Sequence, residues 1–163
     1  MKNRAHRKSA FSLVEVTLAL GVTSFCLVAI LGLLPIGLNT SKAAFEEAAA
    51  NNILLSAAVD LRSTPATSPR GQSISSEQFG IPLPENPVSQ SSLTKTVYLS
   101  DDGTMQPTLS GDSHYRLSVY PLKNGSNAHA PTLLRLKVSA PAALDPDHVA
   151  VNSVEAVIAL DRN

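Results

Sequence analysis

Val16–Leu38 reads VTLALGVTSFCLVAILGLLPIGL, and the reading of this run decides the fold. Its 23 residues, taken as an α-helix rising 1.5 Å per residue, cover roughly 34 Å against about 30 Å of bilayer hydrocarbon. Thirteen of them are Leu, Ile, Val or Phe. At roughly −0.3 to −0.6 kcal/mol each, these favour insertion by about 4–8 kcal/mol before polar corrections. No charged residue occurs between Glu15 and Lys42. A buried core helix of a soluble protein would need a large apolar surround, and the remaining chain is too polar to supply it. A secretory signal peptide has a shorter apolar region and no acid at its head, and Pro35 and Gly37 make a poor cleavage context here. A single membrane anchor fits the length and the composition.

Outward from this run the charges are unequal. Lys and Arg total 13, as do Asp and Glu, so the net charge is zero. Residues 1–10 nevertheless carry Lys2, Arg4, Arg7 and Lys8 and no acid, and the rest of the chain is correspondingly acidic. Cations ahead of the span put the N-terminus in the cytoplasm by the positive-inside rule, with everything after residue 40 on the other side. The overall balance gives no clustered cationic surplus for phosphate tracking, so a nucleic-acid partner is not expected. Aromatic residues make up 4% of the chain and there is no Trp, which leaves little for a base-stacking platform. The one cysteine, Cys26, lies inside the apolar run, where it reads as a small apolar side chain and not as a nucleophile.

Glu15 stands at the entrance to the apolar run, where an ionised carboxylate is costly. The basic leader, the small Ala10, and then Phe11-Ser12-Leu13-Val14-Glu15-Val16 closely resemble the class III signal of type IV pilins and type II secretion pseudopilins. The resemblance covers the first 40 residues tightly and the remainder in layout. It implies that a prepilin peptidase/N-methyltransferase cuts between Ala10 and Phe11 and methylates the new Phe11 amine. It further implies that Glu15 pairs with the Phe11 ammonium of a neighbouring subunit as the helices bundle. A carboxylate and an amine that each pay for burial alone would then set register together. The family usually carries Gly, not Ala10, before the cut. The implied location is the inner membrane, single-pass, with a periplasmic or otherwise extracytoplasmic head.

Beyond the span, KAAFEEAAANNILLSAAVDLR is Ala-rich and free of Gly and Pro, with Phe45, Ala49, Ile53, Ala57 and Leu61 at intervals of four. This predicts an amphipathic helix ending at Arg62-Ser63-Thr64-Pro65, continuous with the span as one helix over 11–62. Residues 63–92 hold eight Ser, five Pro and two Gly, a connecting loop. From residue 93 the period becomes two. Strands are expected over Leu93–Leu99, with a hairpin at Ser100-Asp101-Asp102-Gly103 and a return over Thr104–Leu109. Further strands are expected over Tyr115–Tyr120 stopping at Pro121, Leu133–Ala140 with Leu134, Leu136 and Val138 on one face, and Val154–Leu160. The fold class is α+β: a long N-terminal helix against a C-terminal antiparallel sheet with one wet face. That is the layout of pilin-like heads. The VYLSDDGT and LRLKVSAP strings also resemble the Verru_Chthon cassette protein B family of prepilin-type proteins.

Signs of catalysis are missing. His6, His114, His129 and His148 are dispersed, and no HExxH, GxSxG or phosphate-loop pattern occurs. Asp145-Pro146-Asp147-His148 is the densest polar cluster. The resemblance makes Asp145 and Asp147 calcium candidates, although the chain there lacks the glycine turn and further oxygens of a calcium loop. The expected function is that of a structural subunit, a minor pseudopilin, whose partners are other pilin or pseudopilin subunits, the processing peptidase and the inner membrane. No enzyme activity and no cofactor are expected. The alternative is an uncleaved, single-pass anchored extracytoplasmic binding or sensor domain.

Overall fold

The computed structural model describes residues 12–65, 74–84, 88–124 and 130–161. The chain forms two compact units, Met1–Ala44 and Phe45–Asn163. One helix, α1 (Leu13–Ser63), contributes to both. Five strands follow: β1 (Lys95–Leu99), β2 (Met105–Gln106), β3 (Tyr115–Leu122), β4 (Thr132–Ala140) and β5 (Asn152–Leu160). The architecture is α+β with a pilin-like layout, in which residues 45–63 of the long apolar helix pack on a five-stranded antiparallel sheet.

In the first unit every described residue of α1 is exposed. Leu18, Phe25, Leu31 and Ile36 all face outward, and the helix is long and apolar enough to cross a membrane, with a mean hydropathy of 2.3 over its best window. Two of its hydroxyls bond to its own backbone. Thr17 Oγ1 donates to Val14 O at 3.0 Å and Thr40 Oγ1 to Ile36 O at 2.9 Å, so they add little unmet polarity to the helix surface.

In the second unit, Ala50, Ile53, Leu54, Ala57, Ala58 and Leu61 are buried. The spacing of three and four makes one stripe, and three of its six members are Ala. The stripe differs from the interval-of-four line expected from sequence. Ile53, Ala57 and Leu61 belong to it, but Phe45 is 72% exposed. A line of strict fours drifts around a 3.6-residue helix, and by Phe45 it has left the covered face. The helix ends one residue beyond the expected Arg62, where the hydroxyls of Ser63 and Thr64 both donate to Asp60 O at 2.8 Å.

The strand order is β2-β1-β3-β4-β5. The inner face is carried by Val97 and Leu99, Tyr115, Leu117 and Val119, Leu134, Leu136 and Val138, and Ile158 and Leu160. Expected alternation and observed burial agree on β4 and on the end of β5. On β3 they differ, because the strand runs through Pro121 to Leu122, with Pro121 opposite Leu134. Pro121 shares its edge with Val119, whose carbonyl accepts Thr94 N–H at 2.8 Å. The ladder to β1 ends at Lys95↔Val119, so the N–H that proline lacks falls past the last rung. The hairpin after β1 forms as expected, with Gly103 at φ 82°, a left-handed conformation that favours glycine. Its return strand is only Met105–Gln106, since Pro107 follows at once.

The expected connecting loop does more than connect. Phe79, Ile81 and Val88 are buried, with Ser75 and Pro82 bridged. Asp60 holds this segment by accepting the N–H groups of Gln78 at 2.9 Å and Phe79 at 3.0 Å. Lys95 Nζ donates to Gly80 O.

Candidate functional site

Two places carry the residues singled out from sequence. The first is the head of α1. Ser12 is its N-cap and Glu15 lies three residues on, the S-x-x-E spacing of a capping box. Ser12 Oγ accepts Val14 N–H at 3.3 Å, and Glu15 Oε2 accepts Ser12 N–H at 3.0 Å. Glu15 thus meets two needs of a helix start. It satisfies a backbone donor that has no intrahelical partner, and its negative charge sits at the positive end of the helix dipole. This capping role was legible in Ser12-x-x-Glu15 but was not among the roles expected for Glu15. On the surface beside it lie Val16, Ala19, Leu20 and Thr23, a shallow apolar strip headed by the carboxylate. Ala10 and Phe11, the expected cleavage and methylation positions, lie outside the described residues, as do His6 and His129. The expected span, Val16 to Leu38, lies wholly within α1.

The second place is the outer face of the sheet, where the loop between β4 and β5 returns across β3 and β4. Asp145 Oδ2 stands 3.3 Å from Arg116 Nη2 and 3.3 Å from His148 Nδ1. Asp147 Oδ1 stands 3.4 Å from Lys137 Nζ, and its other oxygen accepts the Tyr120 hydroxyl. Lys137 Nζ also donates to Pro146 O at 3.1 Å. The strap therefore carries its two acids onto two cations. Part of the face expected to be wet is covered, with Ser118, Tyr120 and Ser139 buried. Arg135, the exposed neighbour of this cluster, lies over the Tyr120 ring at 5.1 Å.

These contacts set the charge states. The Asp147 N–H holds the Asp145 carboxyl below its usual range; burial opposes it, and the Arg116 charge and His148 add smaller lowering effects. The Tyr120 hydroxyl does the same for Asp147, with Lys137 adding to it and burial opposing. Burial, followed by the bond to Asp147, pushes the Tyr120 hydroxyl up. As calcium ligands Asp145 and Asp147 fit poorly. A divalent cation needs a shell of six to eight oxygens, whereas the oxygens here face a guanidinium and an ammonium. Among the described residues no group of three or more His, Cys, Asp or Glu side chains is arranged to hold a metal ion.

Sequence reasoning named the acids of this cluster but not Arg116, Tyr120 or Lys137. Each reads as an ordinary outward position on an alternating strand. Only the return of the loop, 27 residues from Tyr120 to Asp147, makes them partners. His114, one of the histidines dispersed along the sequence, lies between Asp101 at 3.2 Å and Glu46 at 3.9 Å and meets the Tyr115 ring edge-on at 4.7 Å. It ties the β1–β2 turn to α1 within the second unit. In comparison with known proteins, the chain matches no family model, no curated protein and no solved structure.

Proposed function

We propose that this chain is a prepilin-like structural subunit, a minor pseudopilin of a type IV pilus or a type II secretion-like filament. In this reading a peptidase removes residues 1–10, the Phe11 amine is methylated, and subunits assemble through their apolar helices from the inner membrane. The observation that carries it is the head of α1: a carboxylate fixed at the start of a helix whose described residues up to Ala44 are all exposed. Lipid can cover such a surface, and so can the same helix of a neighbour. The carboxylate gives neighbouring helices something to register against. A carboxylate has about four lone-pair sites, so capping Ser12 N–H is compatible with pairing to the Phe11 ammonium of an adjacent subunit. Mass spectrometry of the protein purified from membranes tests the reading. A methylated Phe11 terminus is expected, and an intact Met1 or a terminus near residue 43 would overturn it.

A second reading is favoured by the same capping box. Where Glu15 only caps its own helix, the chain is an uncleaved, single-pass anchored extracytoplasmic domain. That reading predicts an intact leader and a chain that purifies without assembly partners.

A further inference from the structure

In the second unit a cleft of about 260 Å³ opens between α1 and the β1–β2 turn. Its floor is apolar, made by Ile53 of α1, Phe79 of the connecting segment and Leu99 of β1, all of them buried. Its rim is polar, and Asp101 and Asp102 are the only charged side chains that line it. His114 stands 3.2 Å from Asp101 and 3.9 Å from Glu46, so the acids outnumber the one histidine beside them.

Three acceptors at this rim have capacity to spare. The contacts of Asp101 and Asp102 around the turn run through Oδ1 of each, Asp101 to His114 and Asp102 to the Ser100 hydroxyl and the Thr104 N–H. Oδ2 of each is left over. Tyr115 is the third. It lines the cleft, is 4% exposed, and its hydroxyl has no hydrogen bond among the described residues. A buried tyrosine hydroxyl is normally paired, as that of Tyr120 on the same strand is with Asp147. Burial, followed by the charges of Asp101 and Glu46, pushes the Tyr115 hydroxyl up. The field around it is therefore negative, and the protonated hydroxyl keeps lone pairs to offer a cation.

We infer that this cleft binds an aliphatic ammonium of side-chain size, with its methylenes on the apolar floor and its charge among Asp101, Asp102 and the Tyr115 hydroxyl. Each part of that ligand answers one observation. Clefts for drug-sized ligands run to about 300–1,000 Å³, so this one takes no more than about one side chain. The floor calls for an apolar stem, which gains by leaving water. The two acids, with no lysine or arginine lining the cleft, call for a positive head. An ammonium brings three donors to acceptors on two separate elements, whereas a planar guanidinium fork is matched to a single carboxylate edge. A lysine side chain of a partner protein and a small free alkylamine share this chemistry. The site goes beyond the assembly reading and does not rest on it.

Titration of the full-length chain in uncharged detergent with n-butylammonium, followed by the backbone amide NMR signals of Phe79 and Gly103, tests the site. The shifts should saturate with an affinity on the order of millimolar. The uncharged n-butanol should bind at least about tenfold more weakly. Tyr115→Phe keeps the ring in the core and deletes the hydroxyl, and should weaken butylammonium about tenfold. Asp101→Asn with Asp102→Asn should abolish saturation. If that pair disturbs the turn, Ser56→Phe serves in its place. Ser56 is exposed on α1 and lines the cleft, so a ring there blocks entry without entering the core. Equal responses to n-butanol and butylammonium overturn the proposal. So does an absence of saturable shifts, or binding that neither Tyr115→Phe nor Ser56→Phe weakens. A short lysine peptide, acetylated and amidated at its ends, separates the two sources. Competition at or below the butylammonium concentration assigns the site to a protein lysine, and exclusion of the peptide while butylammonium still binds assigns it to a free amine.

Discussion

Asp60 holds Phe79 in the core: the carboxylate, itself buried near the end of α1, accepts the Phe79 N–H at 3.0 Å and the neighbouring Gln78 N–H at 2.9 Å. One side chain thereby closes the helix against the segment that follows it. Replacement by Asn keeps one acceptor and turns an N–H₂ group toward a backbone N–H. Asp60→Asn should cost about 1–3 kcal/mol, because a buried donor loses its partner. The midpoint of urea unfolding checks this, and an unchanged midpoint would show that the loop is held by its apolar residues alone.

The same residue gives stability a pH dependence. Burial pushes the Asp60 carboxyl up, but bonds from the Ser76 hydroxyl and from the N–H groups of Gln78, Phe79 and Glu77 outweigh it, so its pKa lies below the ordinary value. Asp145 and Asp147 are lowered as well. A depressed folded-state pKa stabilises above the unfolded value of about 3.9 and is lost as pH falls through the folded value. Stability should therefore be level from neutral pH down to about pH 5 on account of these groups, and fall below about pH 4. Thermal melts across that range should show a shallower fall in Asp60→Asn than in the parent chain.

The covered stripe of α1 predicts a contrast between two apolar residues on one helix. Leu61 is 1% exposed within the core cluster, and Leu61→Ala should destabilise by about 2–5 kcal/mol. Phe45→Ala removes a larger side chain from an exposed position, and the change should stay within about 0.5 kcal/mol. Denaturant unfolding of the two variants side by side decides it. Similar losses would mean that the Phe45 face is covered as well.

Glu15→Gln separates capping from charge. Gln at this position of a capping box can still accept the Ser12 N–H, so helicity in detergent should match the parent within error. The carboxylate charge is gone, and under the assembly reading incorporation into filaments should fail although membrane insertion continues. Glu15→Ala loses both and should also fray the first turn. Wild-type incorporation by Glu15→Gln would leave capping as the only task of this residue.

What could be read from the sequence follows the range of the forces involved. The Leu134, Leu136 and Val138 alternation is a local pattern, and the structure buries all three. The turn at Asp102-Gly103 is equally local. Its carboxylate accepts Thr104 N–H at 3.0 Å, and the glycine takes the left-handed backbone. Pro121 misled because a proline ends a strand only where its missing N–H would have had a partner, and the length of β1 is not written near Pro121. The covered arc of α1 could not be chosen from sequence, since Ala positions suit either face. At Asp145 and Asp147 the residues were visible, but the cations that receive them are dictated by the path of the loop. Ser12-x-x-Glu15 was in plain view, yet the processing motif drew the carboxylate into a different role.

The strand order has a consequence during synthesis. Every strand pairs with its predecessor except β3, which passes over the short β2 arm to pair with β1, so the sheet grows by connections that close short stretches of chain. The helix that this sheet covers is made first, and the last buried contributors to the core, Ile158 and Leu160, are made far later. Until then Ile53, Leu54 and Leu61 sit on an incomplete platform. Nascent chains arrested before β5 should thus offer holdase chaperones a sticky half-finished core, a vulnerability that ends only when the final ribbon zips on.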